Sequence, residues 1–341
     1  MVNEPTRRGF VRGLAAGALI AGFDPVTRHW VPSAPVRGFF AHVPPLDGRL
    51  LFDDADRAAA ADDFGHIVHR RPVAVLQPGS IEDVAAMVRF CHAHRVPVAA
   101  RGAGHATFGQ AQAAGGLVIE MATLDAVSVA ADRVVVEAGA RWSALLAETL
   151  PHGLTPPVLT DYLELSIGGT LSVGGFGGAS HHYDAQVDNV LELEVVTGTG
   201  RRVVCSALRQ PGLFHAVLAG LGQCAILVRA TLRLLPAPAA ARHYVLFYPS
   251  VTALTADQRR VVGDGRFSFV EGEAQAASVG SSGWQYFLEA AAFYDSTPPD
   301  DVALIGDLSY ERGTEQIADL GYFDFLNRLT PAVAFLESTG E

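Results

Sequence analysis

Residues Val98 to Met121 read VAARGAGHATFGQAQAAGGLVIEM, and this stretch constrains the fold more than any other. An apolar run, Val96 to Ala100, leads into it and a second, Leu117 to Met121, leads out. Between them lies a glycine-rich turn, Arg101 to Gly109, with Gly102 and Gly104 flanking Ala103 and His105 directly after. Glycine permits positive φ and close approach of a ligand to the backbone. Successive N–H groups in such a turn form an anion-binding nest suited to a pyrophosphate, with the histidine set against whatever the nest holds. A plain strand–turn–strand with a surface histidine satisfies the turn alone equally well.

The flanking pattern extends this to a β–α–β opening. Arg71 to Gln77 predicts a strand, Pro78-Gly79 a turn, and Ser80 the cap of a helix. Glu82 and Asp83 fall in its first turn, and Val84, Met87, Val88 and Cys91 repeat at helical spacing. Further on, Arg133 to Ala138 predicts a strand ended by Gly139. Trp142 to Leu150 predicts a helix with Trp142, Leu145, Leu146 and Leu150 on one face, broken by Gly153 and Pro156-Pro157. Asp161 to Gly178 carries six glycines in eighteen residues, and Ser166, Gly168, Gly169, Thr170 and Ser172 predict a second close-approach loop. Leu191 to Val196 and Arg201 to Cys205 predict a hairpin, Leu213 to Ala219 a helix, and Ala225 to Leu235 a strand closed by Pro236. Gly220 to Ala225 fits G-x-G-x-x-A, but a helix precedes it and a strand follows, the reverse of the dinucleotide-binding context. Beyond Pro238, Tyr244 to Phe247, Arg266 to Glu271 and Gln285 to Phe293 predict strands of a separate sheet. Ala253 to Val262 and Tyr322 to Leu329 predict helices.

Composition excludes several classes. A net charge of −11 argues against nucleic acid and anionic membrane surfaces. The three cysteines are widely spaced and form no CxxC pair, and none of the twelve histidines forms HExxH, so neither a disulfide framework nor a metal site is expected. In a strand, the adjacent His181 and His182 would point to opposite faces. At the N-terminus, Arg7 and Arg8 precede Phe10, Val11 and a short apolar run from Gly13 to Phe23. The run is too short for a mature membrane span; the pair resembles a twin-arginine signal, and an amphipathic helix is the alternative.

Three blocks in order carry a family resemblance: RGAGHATFGQAQAAGGLVIEM, then TDYLELSIGGTLSVGG at Thr160 to Gly175, then NVLELEVVTGTG with LFHAVLAGLGQCAILVRATLRLLPAP up to Pro238. Together they resemble the cytokinin dehydrogenases, members of the vanillyl-alcohol oxidase type (PCMH-type) of covalent FAD oxidoreductases. The resemblance implies an α+β fold. Residues 1–35 would be signal and linker, residues 36–238 a two-part PCMH-type FAD-binding domain, and residues 239–341 an incomplete α+β substrate cap domain in a C-terminally truncated chain.

It also implies roles. His105 would bond covalently to the FAD isoalloxazine, with Gly102, Ala103, Gly104, Ala106 and Gln110 along the pyrophosphate. The family commonly has Ser where this chain has Ala106, a loss of roughly one hydrogen bond of ~1 kcal/mol. Ser166 and Ser172 would lie along the cofactor, and Phe176 and Ile226 would pack on it or belong to the plain core. Berberine-bridge-type relatives attach flavin a second time through a Cys, where this chain has Tyr162, so single attachment is expected. Asp161 would be the catalytic base, although beside Thr160 it reads equally as a turn or cap residue. The implied substrate is an N6-alkylated adenine, oxidised at the side-chain amine to an imine that hydrolyses to adenine and an aldehyde, with oxygen or a quinone as acceptor. A covalent-flavin oxidase of alcohols or sugars and a non-catalytic flavin-binding remnant are the alternatives. A periplasmic, cell-envelope or secreted location without a stable membrane anchor is expected.

Overall fold

A computed structural model of the chain describes residues 20–24, 29–32, 40, 42–276 and 283–333. The Arg7-Arg8 pair and the run from Gly13 to residue 19 lie outside the described residues. The residues that follow pair as an antiparallel hairpin, β1 (Ile20–Asp24) and β2 (His29–Pro32).

A four-stranded sheet comes next, built from β3 (Arg49–Leu51), β4 (Ala74–Gln77), β5 (Val98–Arg101) and β6 (Leu117–Glu120) in the order β3-β4-β6-β5. β4, β6 and β5 run parallel. Parallel strands are covered on both faces, which explains why β4 and β6 are apolar over residues 74–76 and 117–119. Ala74, Leu76, Leu117 and Ile119 face the main core, while the alternating Val75 and Val118 pack with Ala60 and Ala113 behind the sheet. The predicted helix lies between β4 and β5. Two helices flank β4: α1 (Asp54–Ala59) and α2 (Ile81–His94). Ser80 Oγ accepts the Asp83 N–H at 3.3 Å, and Val84, Met87, Val88 and Cys91 are buried, as their spacing dictates.

The chain continues through β7 (Val127–Ala130), β8 (Arg133–Glu137), α3 (Trp142–Thr149), β9 (Leu154–Thr155), α4 (Ile167–Val173) and α5 (Ser180–Tyr183). Then come β10 (Val190–Thr197), β11 (Arg202–Cys205), α6 (Pro211–Val217), β12 (Ala225–Arg233) and β13 (Leu235–Pro236). Five of these strands form an antiparallel sheet in the order β11-β10-β12-β8-β7. Its inner face adds Val134, Val136, Leu193, Val195 and Val228 to the core shared with the parallel sheet. On its outer face Arg229 bridges Glu194 and Glu137 on the strands either side, at 3.0 and 3.3 Å. The GxGxxA segment is the turn from α6 into β12, so no dinucleotide fingerprint exists there.

One sequence expectation is corrected here. The glycine-rich stretch after Ser166 is a helix, α4, rather than a loop. Ile167, Thr170 and Leu171 bury one face of it, and Trp142 Nε1 donates to Thr170 Oγ1 at 3.0 Å, so tertiary packing overrides two helical glycines. His181 and His182 lie on one short helix, and their Nε2 atoms converge on the Phe267 carbonyl at 3.1 and 2.8 Å. All three cysteines are free.

The third sheet is antiparallel, in the order β15-β16-β14-β17: β14 (Ala240–Tyr248), β15 (Phe269–Ala276), β16 (Trp284–Tyr294) and β17 (Gln316–Gly321). α7 (Val251–Asp264), α8 (Asp301–Ile305) and α9 (Tyr322–Leu326) complete this part of the chain. The two-residue period sorts its faces. Tyr244, Leu246, Tyr248, Val270, Leu288 and Ala290 pack with α7 residues Leu254 and Val261 in a second core. Ala241, Phe269 and Ala291 face the first core instead, together with Tyr322 and Phe325 of α9. The fold is α+β, with one mixed and two antiparallel sheets meeting at this shared core.

Candidate active site

The glycine turn after β5 and the start of α4 meet. A Cβ on Gly102 would stand 1.9 Å from Ser166 Oγ, so only glycine allows the two segments this approach. Ser166 Oγ accepts the Ala103 N–H at 3.3 Å. Gly104 has φ +84°, which places it in the left-handed region. The Arg101 guanidinium braces the turn from below, with Nη1 donating to the Asp62 carbonyl at 2.9 Å and Nε 3.4 Å from Glu120. Burial pushes the Glu120 carboxyl up, against the opposing pull of Arg101.

A cleft of about 290 Å³ opens here, lined among others by Arg101, Gly102, Ala103, Glu120, Arg141 and Ser166. His105, on the same turn but not among the residues that line the cleft, stacks its ring on Phe64 with centroids 4.4 Å apart and lies 5.2 Å from the Tyr162 ring. His105 Nε2 is buried without a hydrogen-bond partner. A close-approach turn, two guanidinium groups and an orphaned imidazole nitrogen among aromatic rings fit a phosphate-bearing aromatic cofactor.

The expected cofactor residues divide. Gly102, Ala103 and Ser166 are brought together at the cleft wall. The Ala106 carbonyl accepts the Phe64 N–H at 3.1 Å, tying the turn to the residue that stacks on His105. Gln110 is exposed, its Oε1 accepting the Phe108 N–H at 3.0 Å, and Ser172 Oγ donates inside α4 to the Gly168 carbonyl at 2.6 Å. The Phe176 side chain is 71% exposed, and Ile226 packs in β12 against the main core. None of these last four lines the cleft.

Asp161 precedes Tyr162, the residue beside His105, and lines a separate small pocket with Phe269, Phe293, Tyr322 and Arg328. Among the described residues its side chain caps no local backbone N–H. Instead Arg328 Nη2 donates to Asp161 Oδ1 at 2.9 Å, and Glu271 shares a hydrogen bond with it. Burial, then the hydrogen bond to Asp161 and its charge, raise the Glu271 carboxyl far above its ordinary range, so it is a neutral acid at pH 7. Glu289 is the opposite case. Burial alone would raise it, but hydrogen bonds from His243 at 2.7 Å and from Arg328 at 2.6 and 3.0 Å outweigh that and hold it down to about 2. The pocket therefore sets a carboxylate held by a cation beside a protonated carboxylic acid, a pairing suited to moving a proton.

Arg101, Phe64, Glu271, Glu289, His243 and Arg328 were not singled out from the sequence. One signal was present for Glu271: Phe269, Glu271 and Glu273 alternate onto the same face of β15, so two acids follow an apolar residue that faces the core.

A family model described as an FAD binding domain matches residues 72–206. An uncharacterized oxidoreductase of the fasciation locus of Rhodococcoides fascians is 41% identical, the match covering 87% of this chain and 68% of that protein. Cytokinin dehydrogenase 6 of Oryza sativa subsp. japonica is 36% identical over 88% of this chain and 66% of its own length, so the chain spans about two thirds of these relatives. Among solved structures, 6-hydroxy-D-nicotine oxidase from Arthrobacter nicotinovorans superposes with a TM-score of 0.68 at 19% identity, covering 85% of this chain and 65% of that one. Xylooligosaccharide oxidase from Myceliophthora thermophila, in complex with xylobiose, gives 0.71 at 19% identity over 86% and 62%. At that identity the likeness speaks to the fold alone. The two long sequence matches, the matched FAD-binding segment and the shared architecture place the chain in one group: it belongs to the cytokinin dehydrogenase-like, PCMH-type FAD oxidoreductases.

Proposed function

We propose that the protein oxidises the side-chain amine of N6-alkylated adenines to an imine, which water hydrolyses to adenine and an aldehyde. FAD, when bound, supplies the hydride acceptor. Gly102, Ala103, Arg101 and Ser166 would hold it along the cleft, and His105 would tether it covalently through its partnerless ring nitrogen. Asp161 takes the amine proton as the C–H bond breaks. Glu271, a neutral acid, donates to Asp161 and restrains its carboxylate. Phe269, Phe293 and Tyr322 line the same small pocket as Asp161 and would present aromatic surface to a planar purine.

The observation that carries this reading is the pairing of Asp161 with Arg328 and Glu271 in place of a local cap. Residues 36–238 form the FAD-binding part and 239–341 the substrate cap in this reading, electrons pass on to oxygen or a quinone, and the Arg7-Arg8 start directs export. The test is product analysis. Incubation with isopentenyladenine and a quinone acceptor should yield adenine and the matching aldehyde in equal amounts. Turnover of an alcohol or sugar, with every N6-alkylated adenine inert, would overturn the proposal.

A further inference from the structure

We propose that Arg328 is a positioning residue for the base: it fixes the orientation of the Asp161 carboxylate and keeps it ionised among the other acids of the pocket. The inference rests on Asp161 acting as the base.

Arg328 follows α9, 167 positions beyond Asp161, and its side chain is 11% exposed. Its guanidinium lies over the Phe325 ring at 4.6 Å and the Phe269 ring at 4.8 Å, which fixes its plane. Within that plane Nε donates to Glu289 Oε1 at 2.6 Å and Nη2 to Glu289 Oε2 at 3.0 Å, while Nη1 reaches the Phe325 carbonyl at 3.3 Å. The fork is thereby locked on Glu289, and the remaining Nη2 direction meets Asp161 Oδ1 at 2.9 Å. Glu289 is held in turn by His243 Nε2 at 2.7 Å, and the His243 ring packs edge-on against Phe325. A lysine ammonium has no planar fork and could not engage both carboxylates in this geometry.

The charges make the arrangement necessary. Asp161 is faced by Glu271 and Glu273 from β15 and, across Arg328, by Glu289 from β16, with His243 behind on β14. Four carboxyl groups thus share one permanent cation. Without Arg328 the proton shared by Asp161 and Glu271 has no fixed side, and repulsion from the remaining acids favours a protonated Asp161 that cannot act as a base. With Arg328 in place the proton stays on Glu271.

The test reads Asp161 ionisation directly, without substrate. The flavin-loaded protein is labelled at the aspartate side-chain carboxyl carbons and titrated by NMR, with the Asp161 signal identified by its loss in Asp161→Asn. Arg328→Met should raise the Asp161 midpoint by about 1–3 pH units, with flavin content unchanged. Arg328→Lys, which keeps the charge and favours folding, should raise it less, yet slow flavin reduction even at a pH where Asp161 is ionised, because orientation is lost. A midpoint in Arg328→Met that matches wild type overturns the proposal. If Arg328→Met does not fold, an Arg328→Lys protein with wild-type midpoint and wild-type reduction rate overturns it equally. Should no N6-alkylated adenine reduce the wild-type flavin, the proposed reaction fails, while the midpoints still report whether Arg328 governs Asp161.

Discussion

Gly102→Ala tests whether the two glycine-rich segments build one cleft. Gly102 does not have a positive φ, so alanine is tolerated by the backbone and only the close approach is probed. The new methyl would stand 1.9 Å from Ser166 Oγ and 2.9 Å from Ser166 Cβ. Ser166 is buried, so its hydroxyl must leave its present position to make room. Displacing it breaks the 3.3 Å bond from the Ala103 N–H. A lost buried bond costs about 1–3 kcal/mol and a forced rotamer about 0.5–1.5 kcal/mol, so Gly102→Ala should destabilise by about 2–4 kcal/mol and release flavin. Ser166→Gly removes both colliding atoms and alone should cost about 1 kcal/mol for its bond. Urea denaturation followed by far-ultraviolet circular dichroism and by bound-flavin absorbance reads both effects. The double variant should be more stable than Gly102→Ala alone, with a coupling of at least about 1 kcal/mol. Strictly additive costs would refute the contact and with it the shared cleft.

Three further outcomes follow from other parts of the site and fold. His105→Ala should leave only flavin that separates from the protein in acid, whereas wild-type flavin stays with the polypeptide band on a denaturing gel under ultraviolet light; a dissociable wild-type flavin contradicts the covalent tether. Because Glu271 is held above its unfolded value of about 4.3, the folded chain keeps a proton that the unfolded chain releases, and stability is lost as pH rises from that value toward the raised one. Glu271→Gln does not titrate, so its melting temperature should gain on wild type between pH 5 and pH 8, and a constant difference contradicts the assignment. Asp184 is exposed at φ 59° and ψ −151°, a conformation comfortable only for glycine, so Asp184→Gly should stabilise by about 1 kcal/mol in thermal unfolding, and a destabilised variant would show the strain is absent.

Local chemistry made much of the fold legible. Ser80 with Val84, Met87, Val88 and Cys91 marked α2, and the paired runs around Thr197 to Gly200 marked the β10–β11 hairpin. The elements that escaped are those whose reasons lie elsewhere in the chain. α4 contains Gly168 and Gly169 and has little helix propensity of its own. It forms because Ile167 and Leu171 enter the core and because the Ile167 and Gly168 N–H groups donate to the Ala140 and Ala138 carbonyls. β17 is almost wholly exposed and shows no inward alternation to read. The site divides the same way. Gly102, Gly104, His105 and Asp161 stand in local motifs. Glu271 and Glu289 become neighbours only through the β15–β16 register, and Arg328 reaches Asp161 only once α9 is docked. Long-range pairing of charges leaves no trace in a one-dimensional pattern.

The most direct test of the account is the single-turnover reduction of the bound flavin by isopentenyladenine without oxygen, compared between wild type and Asp161→Asn. The amide keeps the shape of the side chain and loses the proton acceptor. General-base catalysis is worth about 10²–10⁴-fold, or roughly 3–5 kcal/mol of barrier, so the variant should reduce its flavin slower by that factor while holding as much flavin as wild type. A fall of less than about tenfold at equal flavin content would remove Asp161 from the mechanism and contradict the account.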